Sequence, residues 1–353
     1  MRVLQAYVGR TVLLAILGVT FLLLSLDLLF ALLAELEELR GGYQMLQAAQ
    51  FVFLTAPRRL YEMMPTGTLL GCLVALGALA NNSELVVMRA AGVSLLQILW
   101  AVLRPVLLVA LAGVVIGEYI APHTEQIAQS ARAVAIGSGK VAHTRSGVWH
   151  KEAGEYIHVN AVEPGGRLFG VTRLRFDDAG RLVQASHART ARFQGDHWSM
   201  EEVEVTELGQ REARSSRFET LDWYTSLTPG LLVLLTMDPE DLAITGLWRY
   251  AHYLAAQGLE SAPYFLAFWN KLLQPLMMCA MVFIAISYVF GPLRQVTMGV
   301  RVLAGIVTGL LLRYFEELSG TTALVYGFPP LLAALAPVVV GVAVGTWSLR
   351  RAG

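Results

Sequence analysis

The sequence predicts an α-helical membrane protein with six transmembrane helices, three on either side of an inserted all-β, jelly-roll-like domain. Of its 353 residues, 55% are hydrophobic and only 15% are charged, and the mean hydropathy is +0.54. An ordinary soluble domain is less apolar than this. The apolar residues crowd into the first third and the last quarter of the chain. The middle has the composition of soluble protein, which predicts a separate domain there.

Three long apolar segments fill the first third of the chain. They cover about residues 11–34, 60–80 and 95–119. Each is long enough to cross roughly 30 Å of hydrocarbon, and glycines in the second predict close helix contact. Residues 44–59 are interpreted as an interfacial helix that leads into the second segment. Arg2 and Arg10 precede the first segment and favour a cytoplasmic N-terminus, because basic residues concentrate on that side. Arg104 is expected to snorkel toward the same side.

The stretch between the second and third segments is longer than a tight turn needs. Residues 82–92 are interpreted as a short amphipathic helix. Ser83 or Asn82 can cap its N-terminus, and Glu84 favours its first turn. Gly92 ends it. We interpret this stretch as a coupling helix that docks in a groove of a cytoplasmic motor subunit, and the alternative is a helix that lies flat against its own bundle.

The middle of the chain alternates between apolar and polar residues. Residues 155–162 and 169–176 alternate with period two, and similar segments follow as far as residue 223. Such alternation predicts antiparallel strands. Consecutive strands without helices suggest a sandwich, a jelly roll or an open barrel. Residues 121–262 are therefore predicted to form the inserted domain, with helical linkers at its ends.

Three further apolar segments complete the count of six. They cover about residues 267–290, 300–318 and 331–349. An even number of spans puts both termini on one side, and Arg89, Arg294 and the basic termini make that side cytoplasmic. The inserted domain then lies on the outer side. Residues 1–120 and 263–353 are predicted to form the two membrane domains.

Ionisable residues lie within or at the ends of these spans, where a charge is costly unless it faces a polar cavity or a partner. They are candidates to line a cavity for an amphiphile with a charged head group. These residues are Asp27, Glu35, Glu37, Glu38, Arg40, Arg301, Arg313, Glu316 and Glu317. Arg313 is the strongest candidate, because it lies in an apolar span and would suit a carboxylate such as Asp27 or a lipid phosphate. The alternative is ordinary charge at a membrane interface.

The sequence argues against catalysis by this chain. Residues 137–140 resemble the end of a phosphate-binding loop, but Val134 stands where the first glycine is needed and Val141 where Ser or Thr should hold magnesium. No histidine shows metal-ligand spacing with a second ligand. Cys72 and Cys279 lie in apolar runs and suggest neither a metal site nor a disulfide. We expect no cofactor or metal bound by this chain, and the zero net charge gives no indication of nucleic-acid binding.

Several local motifs carry a resemblance to a known family. They are residues 82–92 (NSELVVMRAAG), 117–122 (GEYIAP), 274–275 (QP), 290–294 (FGPLR), 298–301 (MGVR) and 324–330 (LVYGFPP). Together with six spans split around an outer β domain, they resemble the LptF/LptG permeases, the membrane subunits of the lipopolysaccharide exporter of Gram-negative bacteria. The motifs fit the LptG branch of this family better than the LptF branch.

The resemblance implies a permease subunit of an ABC transporter in the bacterial inner membrane. It would extract lipopolysaccharide and pass it to a periplasmic bridge toward the outer membrane. The implied partners are a paired permease, LptF, two copies of the cytoplasmic ATPase LptB with its ATP and magnesium, and LptC with the periplasmic bridge. Glu84 would meet the ATPase groove, with Leu85 and Met88 as apolar knobs and Ser83 and Arg89 beside them.

The resemblance also implies lateral gates at the first and fifth spans and a periplasmic jelly-roll domain that holds acyl chains. The inward side chains expected there are Ile157, Val159, Val171, Leu174 and Phe176. Family members carry lysines near the outer end of the first span, but the comparable positions here are Ala31, Glu37 and Glu38. Either Arg40, Arg313 or a partner supplies the positive charge, or this chain handles the head group differently. The alternatives are a permease for another lipid or a lipoprotein, and a membrane scaffold without a transport role.

Overall fold

The protein divides into two compact units. The computed structural model describes residues 2–37, 43–137, 148–152, 154–163, 167–177, 180–209, 212–225, 227–228, 238–256, 260–290 and 297–352. The helical unit comprises Met1–Ala31, Thr55–Pro122 and Ala243–Gly353. The sheet unit comprises Leu32–Leu54 and His123–Leu242.

Long apolar helices give the chain its membrane character. In chain order the helices are α1 (Arg2–Glu37), α2 (Met45–Asn81), α3 (Glu84–Ala90), α4 (Leu95–Val115), a π-helical turn (Ile116–Ile120), α5 (Ala121–Gly137), a 3₁₀ turn (Pro239–Asp241), α6 (Ile244–Ala256), α7 (Ala262–Phe290), α8 (Met298–Tyr326) and α9 (Pro330–Ala352). Five helical stretches in the described part of the chain are long and apolar enough to span a membrane: α1, α2, α4 with its continuation, α7 and α9. The predicted multi-pass membrane fold is confirmed.

The fifth predicted span, α8, differs from the other five. It is 29 residues long, which is enough to cross a membrane. Its four charged residues are Arg301, Arg313, Glu316 and Glu317. It is not among the five apolar spans, and its assignment as a span rests on its length.

Residues 44–59 do not form a separate interfacial helix, because α2 runs continuously from Met45 to Asn81. Pro57 and Pro65 lie inside this helix. A proline removes one backbone donor and frees the carbonyl four residues earlier. The carbonyl that Pro65 frees belongs to Tyr61, and Gln274 Nε2 of α7 donates to it at 2.8 Å. A neighbouring helix thus replaces the lost hydrogen bond, as membrane helices require.

Glycines let the helices of the helical unit approach one another closely. A Cβ at Gly71 of α2 would lie 2.5 Å from the Cα of Ile16 in α1. A Cβ at Gly345 of α9 would lie 2.9 Å from the carbonyl carbon of Phe283 in α7. Each of these glycines has another glycine four residues before it, which is the spacing that favours close packing of membrane helices.

The described residues of the sheet unit form one antiparallel sheet. Its strands are β1 (Val148–Glu152), β2 (Glu155–Glu163), β3 (Arg167–Phe176), β4 (Leu182–Phe193), β5 (Trp198–Leu208) and β6 (Ala213–Trp223). They follow one another in the sheet in chain order, so the described strands form a meander. Trp198 lies in the buried cluster of this unit, and its Nε1 donates to the Leu227 carbonyl at 2.7 Å. The predicted all-β insert is confirmed, with this simple strand order.

The sheet unit also includes the end of α1 and the start of α2, which lie outside the domain predicted at residues 121–262. A buried polar cluster joins these helix ends to α5. Glu35 Oε1 accepts hydrogen bonds from the Tyr43 hydroxyl at 2.8 Å and from Arg132 Nε at 2.5 Å. Arg132 also lies 5.1 Å from the centroid of the Phe51 ring. Burial, and then the hydrogen bond to Glu35, raises the pKa of Tyr43 well above its ordinary value.

Candidate functional site

The N-terminus of α3 is built differently from the prediction. Ser83 occupies the capping position, but its φ is +61° and its side chain makes no capping hydrogen bond. A capping serine normally has an extended backbone. The backbone of Ser83 is left-handed instead. Asn82 Nδ2 instead donates to Glu84 Oε1 at 3.4 Å. The predicted capping by Ser83 is wrong.

The C-terminus of α3 is fixed by two hydrogen bonds. Val93 N donates to the Met88 carbonyl at 3.0 Å, and Gly92 N donates to the Arg89 carbonyl at 3.1 Å. Gly92 has φ +87°, a conformation that glycine adopts without strain. This is the Schellman arrangement, and the apolar contact that often accompanies it is supplied by Met88 and Val93, which share the buried core. The predicted end of the helix at Gly92 is confirmed.

The turn into α4 is equally well determined. Ser94 Oγ accepts from Gln97 N at 3.3 Å, and Gln97 Oε1 accepts from Ser94 N at 3.0 Å. This reciprocal capping box satisfies two backbone donors at the start of α4. Hydrogen bonds thus fix both the C-terminus of α3 and the start of α4. We therefore expect α3 to move together with α4 and not independently.

The side chains of α3 divide into an inward and an outward set. Leu85 and Met88 are only 3% and 6% exposed and belong to the core of the helical unit. Val86 and Val87 are 56% and 65% exposed. The role of partner-facing knobs that was predicted for Leu85 and Met88 does not fit this burial. The outward apolar side chains are Val86 and Val87, with exposed Arg89 on the same helix.

Glu84 lies at the border between these two sets. It is half-buried, and the Tyr7 phenol of α1 lies beside its carboxylate. Glu84 therefore has one neighbour in the chain's own first helix, while part of its side chain remains accessible to a partner.

Asp27 has a partner that sequence reasoning did not predict. Its Oδ2 lies 2.8 Å from Arg59 Nη1, so α1 and α2 are joined by an ion pair within their apolar length. Asp27, one of the partners suggested for Arg313, is therefore paired with Arg59 instead, and a lipid phosphate as the partner of Arg313 stays a prediction. A signal was available, because an arginine near the outer end of a span runs against the usual distribution of positive charge.

The other charged candidates lie in different settings. Arg313 and Glu37 are exposed, and Glu316 is half-buried. Arg301 is only 3% exposed, although it begins a span that was predicted to face lipid. Arg40 lies outside the described residues. A lipid-binding role for these residues stays a prediction.

The GEYIAP motif forms the π-helical turn and makes two contacts. Gly117 packs on Tyr61 of α2, where an added Cβ would lie 2.6 Å from Cε2 of the ring. Glu118 receives hydrogen bonds at the N-terminus of α6, from Ile244 N at 2.6 Å and from Thr245 Oγ1 at 2.8 Å. A carboxylate at a helix N-terminus is favoured by the exposed backbone donors and by the helix dipole. The motif therefore joins α4 to α2 and α6.

Tyr61 is the residue on which three helices of the helical unit converge. Besides Gly117, it contacts α7 twice: Gln274 donates to its carbonyl, and Lys271 Nζ lies 5.8 Å from its ring centroid. These contacts connect residues that are about 50 to 210 positions apart in the chain. Sequence reasoning missed Tyr61, because only Pro65, four residues later, indicates that its carbonyl needs a donor.

The predicted acyl-chain side chains of the sheet are mostly covered. Ile157, Val159 and Val171 are each 1% exposed or less. Leu174 pairs with Tyr156, and because neighbouring side chains alternate between faces, it lies on the face opposite Ile157. Leu174 and Phe176 are half-buried. An acyl-chain role for these five side chains stays a prediction.

In the described part of the chain, no cluster of His, Cys, Asp and Glu could hold a metal ion. Residues 138–140, which resemble part of a phosphate-binding loop, lie outside the described residues. The described candidate residues make contacts between helices, as at Gly117 with Tyr61 and at Glu118 with Ile244.

The fold and the turn after α2 define a class: a multi-pass membrane protein with an all-β insert between two groups of helices. Residues 6–351 match the family described as "Lipopolysaccharide export system permease LptF/LptG". The chain is 34% identical over 353 residues to the lipopolysaccharide export system permease protein LptG of Escherichia coli K12, covering 99% of this chain and 98% of that protein. It is 33% identical over 351 residues to the protein of the same name from Haemophilus influenzae, with 99% and 98% coverage. The chain belongs to the LptF/LptG family.

Proposed function

We propose that this chain is an LptG-type permease subunit that exports lipopolysaccharide from the inner membrane toward a periplasmic bridge. The single observation that carries the proposal is its likeness to proteins named LptG over almost their whole length, at 34% identity in Escherichia coli. Such a subunit moves a lipid and performs no chemistry on it. The hydrolysis of ATP belongs to a separate cytoplasmic ATPase, LptB, which also holds the magnesium.

The proposed ATPase contact is α3. A coupling element must transmit force without bending, and the hydrogen bonds at the C-terminus of α3 and at the start of α4 support rigid-body movement of the two helices. Val86, Val87 and Arg89 supply an exposed apolar and basic surface for the ATPase groove. Glu84 would carry the movement to α1 through Tyr7.

The proposed route for the lipid uses α1 and α8. In the most apolar 18-residue stretch of α1 only 17% of the residues are buried, compared with 67% in the corresponding stretch of α2. A helix that is so poorly covered by its own chain must face lipid or another subunit, because apolar surface is unfavourable in water. This supports a lateral gate at α1, formed with the paired permease LptF and close to LptC. Exposed Leu311 and Tyr314 on α8 support the second gate.

Site-specific photo-crosslinking to lipopolysaccharide tests the route. The photoreactive residue is placed at Phe30 of α1 or Tyr314 of α8, both of which are exposed. Val339 of α9 is the matched control position, because it is 55% exposed, compared with 66% for Phe30 and 61% for Tyr314. We expect adducts from α1 and α8 well above those from α9. Equal background at all three positions would remove the gate assignment and favour another cargo.

Changing Glu84 to Ala tests the coupling. In the complex assembled with the ATPase, we expect reduced recovery of the ATPase and slower lipopolysaccharide release. Glu240→Gln, at an exposed carboxylate of the sheet unit, is the control and should behave like the unaltered chain. A scaffold without a transport role would tolerate both changes, and full export by the Glu84→Ala complex would contradict the proposal.

A further inference from the structure

A groove lies between the N-terminal part of α1 and the middle of α4. Its volume is about 540 Å³. Its polar lining is Gln5, Arg10 and Arg104, and its apolar lining includes Leu13 and Leu108. All of these residues belong to the helical unit.

Among the described residues, no carboxylate compensates the charge in this groove. Arg104 Nη1 donates to the neutral Gln5 Oε1 at 3.3 Å, and no acidic residue lines the groove. Within the described part of the chain, neither Arg10 nor Arg104 has a carboxylate partner. Two guanidinium groups on one groove repel each other, and a bound anion would remove that repulsion. The Gln5 amide also retains its NH₂ group as a donor to an anion.

The surroundings of the groove indicate that the anion belongs to a lipid. Tyr7 of α1 and Trp100 of α4 are both about half exposed, and such rings favour the level of the lipid head groups. Beyond the arginines, exposed Leu14, Leu17 and Leu111 continue the apolar surface along both helices. A free phosphate would use the guanidinium groups alone, whereas a phospholipid would use the guanidinium groups and the leucines.

We infer that the groove between α1 and α4 binds the head group of an anionic glycerophospholipid, with its acyl chains along the adjoining leucines. The guanidinium groups of Arg10 and Arg104 bind the phosphate as planar donors with several N–H groups. This lipid would reside on the side of the N-terminus and is distinct from the exported cargo, so the inference does not depend on what the protein transports.

Native mass spectrometry of the full-length chain in a neutral detergent tests the site. Phosphatidylglycerol is titrated against phosphatidylcholine with the same acyl chains. We expect one phosphatidylglycerol to bind at least fivefold more tightly than phosphatidylcholine. Arg10→Gln with Arg104→Gln should weaken phosphatidylglycerol binding about 25-fold, since each basic residue near an anionic surface contributes roughly fivefold.

Two further variants separate the groove from general surface charge. Arg350→Gln removes an exposed arginine at the end of α9 and should leave the affinity unchanged. Ala6→Trp keeps both arginines but fills the groove from an exposed position that also lines it, and it should weaken binding at least fivefold. It serves as the test should the double variant fail to fold.

Three results would overturn the assignment. The first is an equal loss of affinity in the Arg350→Gln chain. The second is full retention of phosphatidylglycerol by the Ala6→Trp chain, which would mean that the groove itself is not occupied. The third is displacement of the lipid by inorganic phosphate at the same concentration, which would assign the arginines to a free anion.

Discussion

At Gly71 the backbones of α1 and α2 are in direct contact, since an added Cβ would lie 2.5 Å from Cα and 2.8 Å from N of Ile16. Backbone atoms cannot rotate away as a flexible side chain can. We therefore expect Gly71→Ala to destabilise the chain by about 1–3 kcal/mol, measured as a lower midpoint of thermal unfolding in detergent. Gly18→Ala in α1 is the control, because nothing lies within 4 Å of its Cβ position. That change should be neutral or slightly stabilising, and equal stability of the two variants would contradict the close approach.

The Asp27–Arg59 pair provides a second test at the scale of single residues. Both side chains are little more than a quarter exposed. Either Asp27→Asn or Arg59→Gln leaves its partner as an isolated charge within the apolar length of the helices. We expect each change to destabilise by about 1–3 kcal/mol, less than for a fully buried pair. The double variant should recover much of this loss in thermal unfolding, because neither charge remains.

The same double-mutant cycle decides what Asp27 does. If Asp27 were engaged with a lipid head group and not with Arg59, the two single changes would add without coupling. Additive losses would therefore restore the lipid-binding interpretation that the sequence suggested.

At the scale of elements, Glu118 links the π-helical turn to α6. Its carboxylate receives two backbone N–H groups, of Ile244 and Thr245, and the Thr245 hydroxyl. Glu118→Gln keeps an acceptor but removes the charge that the helix N-terminus favours, so we expect a loss of about 0.5–2 kcal/mol in local stability. Hydrogen exchange of the first turn of α6 should accelerate. Glu240→Gln should leave the exchange of α6 unchanged, and unaltered exchange in the Glu118→Gln chain would show that the contact does not stabilise the helix.

Five of the six spans and the presence of a helix between residues 82 and 92 were predictable from the sequence, because hydropathy and a terminal glycine are local signals. The orientation of α3 was not. Four consecutive apolar residues, from Leu85 to Met88, leave the inward face undetermined until the rest of the core is in place. The partners of Asp27, Tyr61 and Glu118 were also unpredictable, since each lies in a helix that is remote in sequence.

At the scale of the whole molecule, each of the two units is stabilised by its own kind of internal contact. The helical unit uses glycine contacts and capped turns between apolar helices, as at Gly71 and Gly345. The sheet unit uses a strand meander with half-buried ionisable groups, including Glu155, whose carboxylate accepts from Arg173 and Arg175. We therefore expect the stability of the sheet unit to respond to pH more strongly than that of the helical unit.

The direction of this pH dependence of stability follows from three ionisable groups in β1 and β2. Burial lowers the pKa of His158, and it lowers that of His150 despite the nearby Glu152. Burial alone would raise the pKa of Glu155, but the hydrogen bonds from Arg173 and Arg175 outweigh it, so that this pKa is lowered. For all three groups the folded state binds protons less tightly than the unfolded state, and stability falls as the pH falls. The contribution of the two histidines to stability is complete above about pH 6.5, the pKa of histidine in the unfolded chain. It is lost as the pH falls below that value. The Glu155 contribution is lost only in stronger acid, below an unfolded pKa of about 4.3 and through the lower folded value.

Hydrogen exchange of the β1–β2 hairpin checks this in the full-length chain. Between pH 7.5 and pH 5.5, protection should decrease after correction for the intrinsic exchange rate, while that of α7 stays constant. A chain with His150→Gln and His158→Gln should lose most of this dependence, because the amide side chains do not titrate in this range. The Glu155 contribution should remain intact at both pH values, so Glu155→Gln alone should lower protection equally at each. A hairpin that became more protected on acidification would show that the two imidazoles gain their proton on folding, which is the opposite of what their burial predicts.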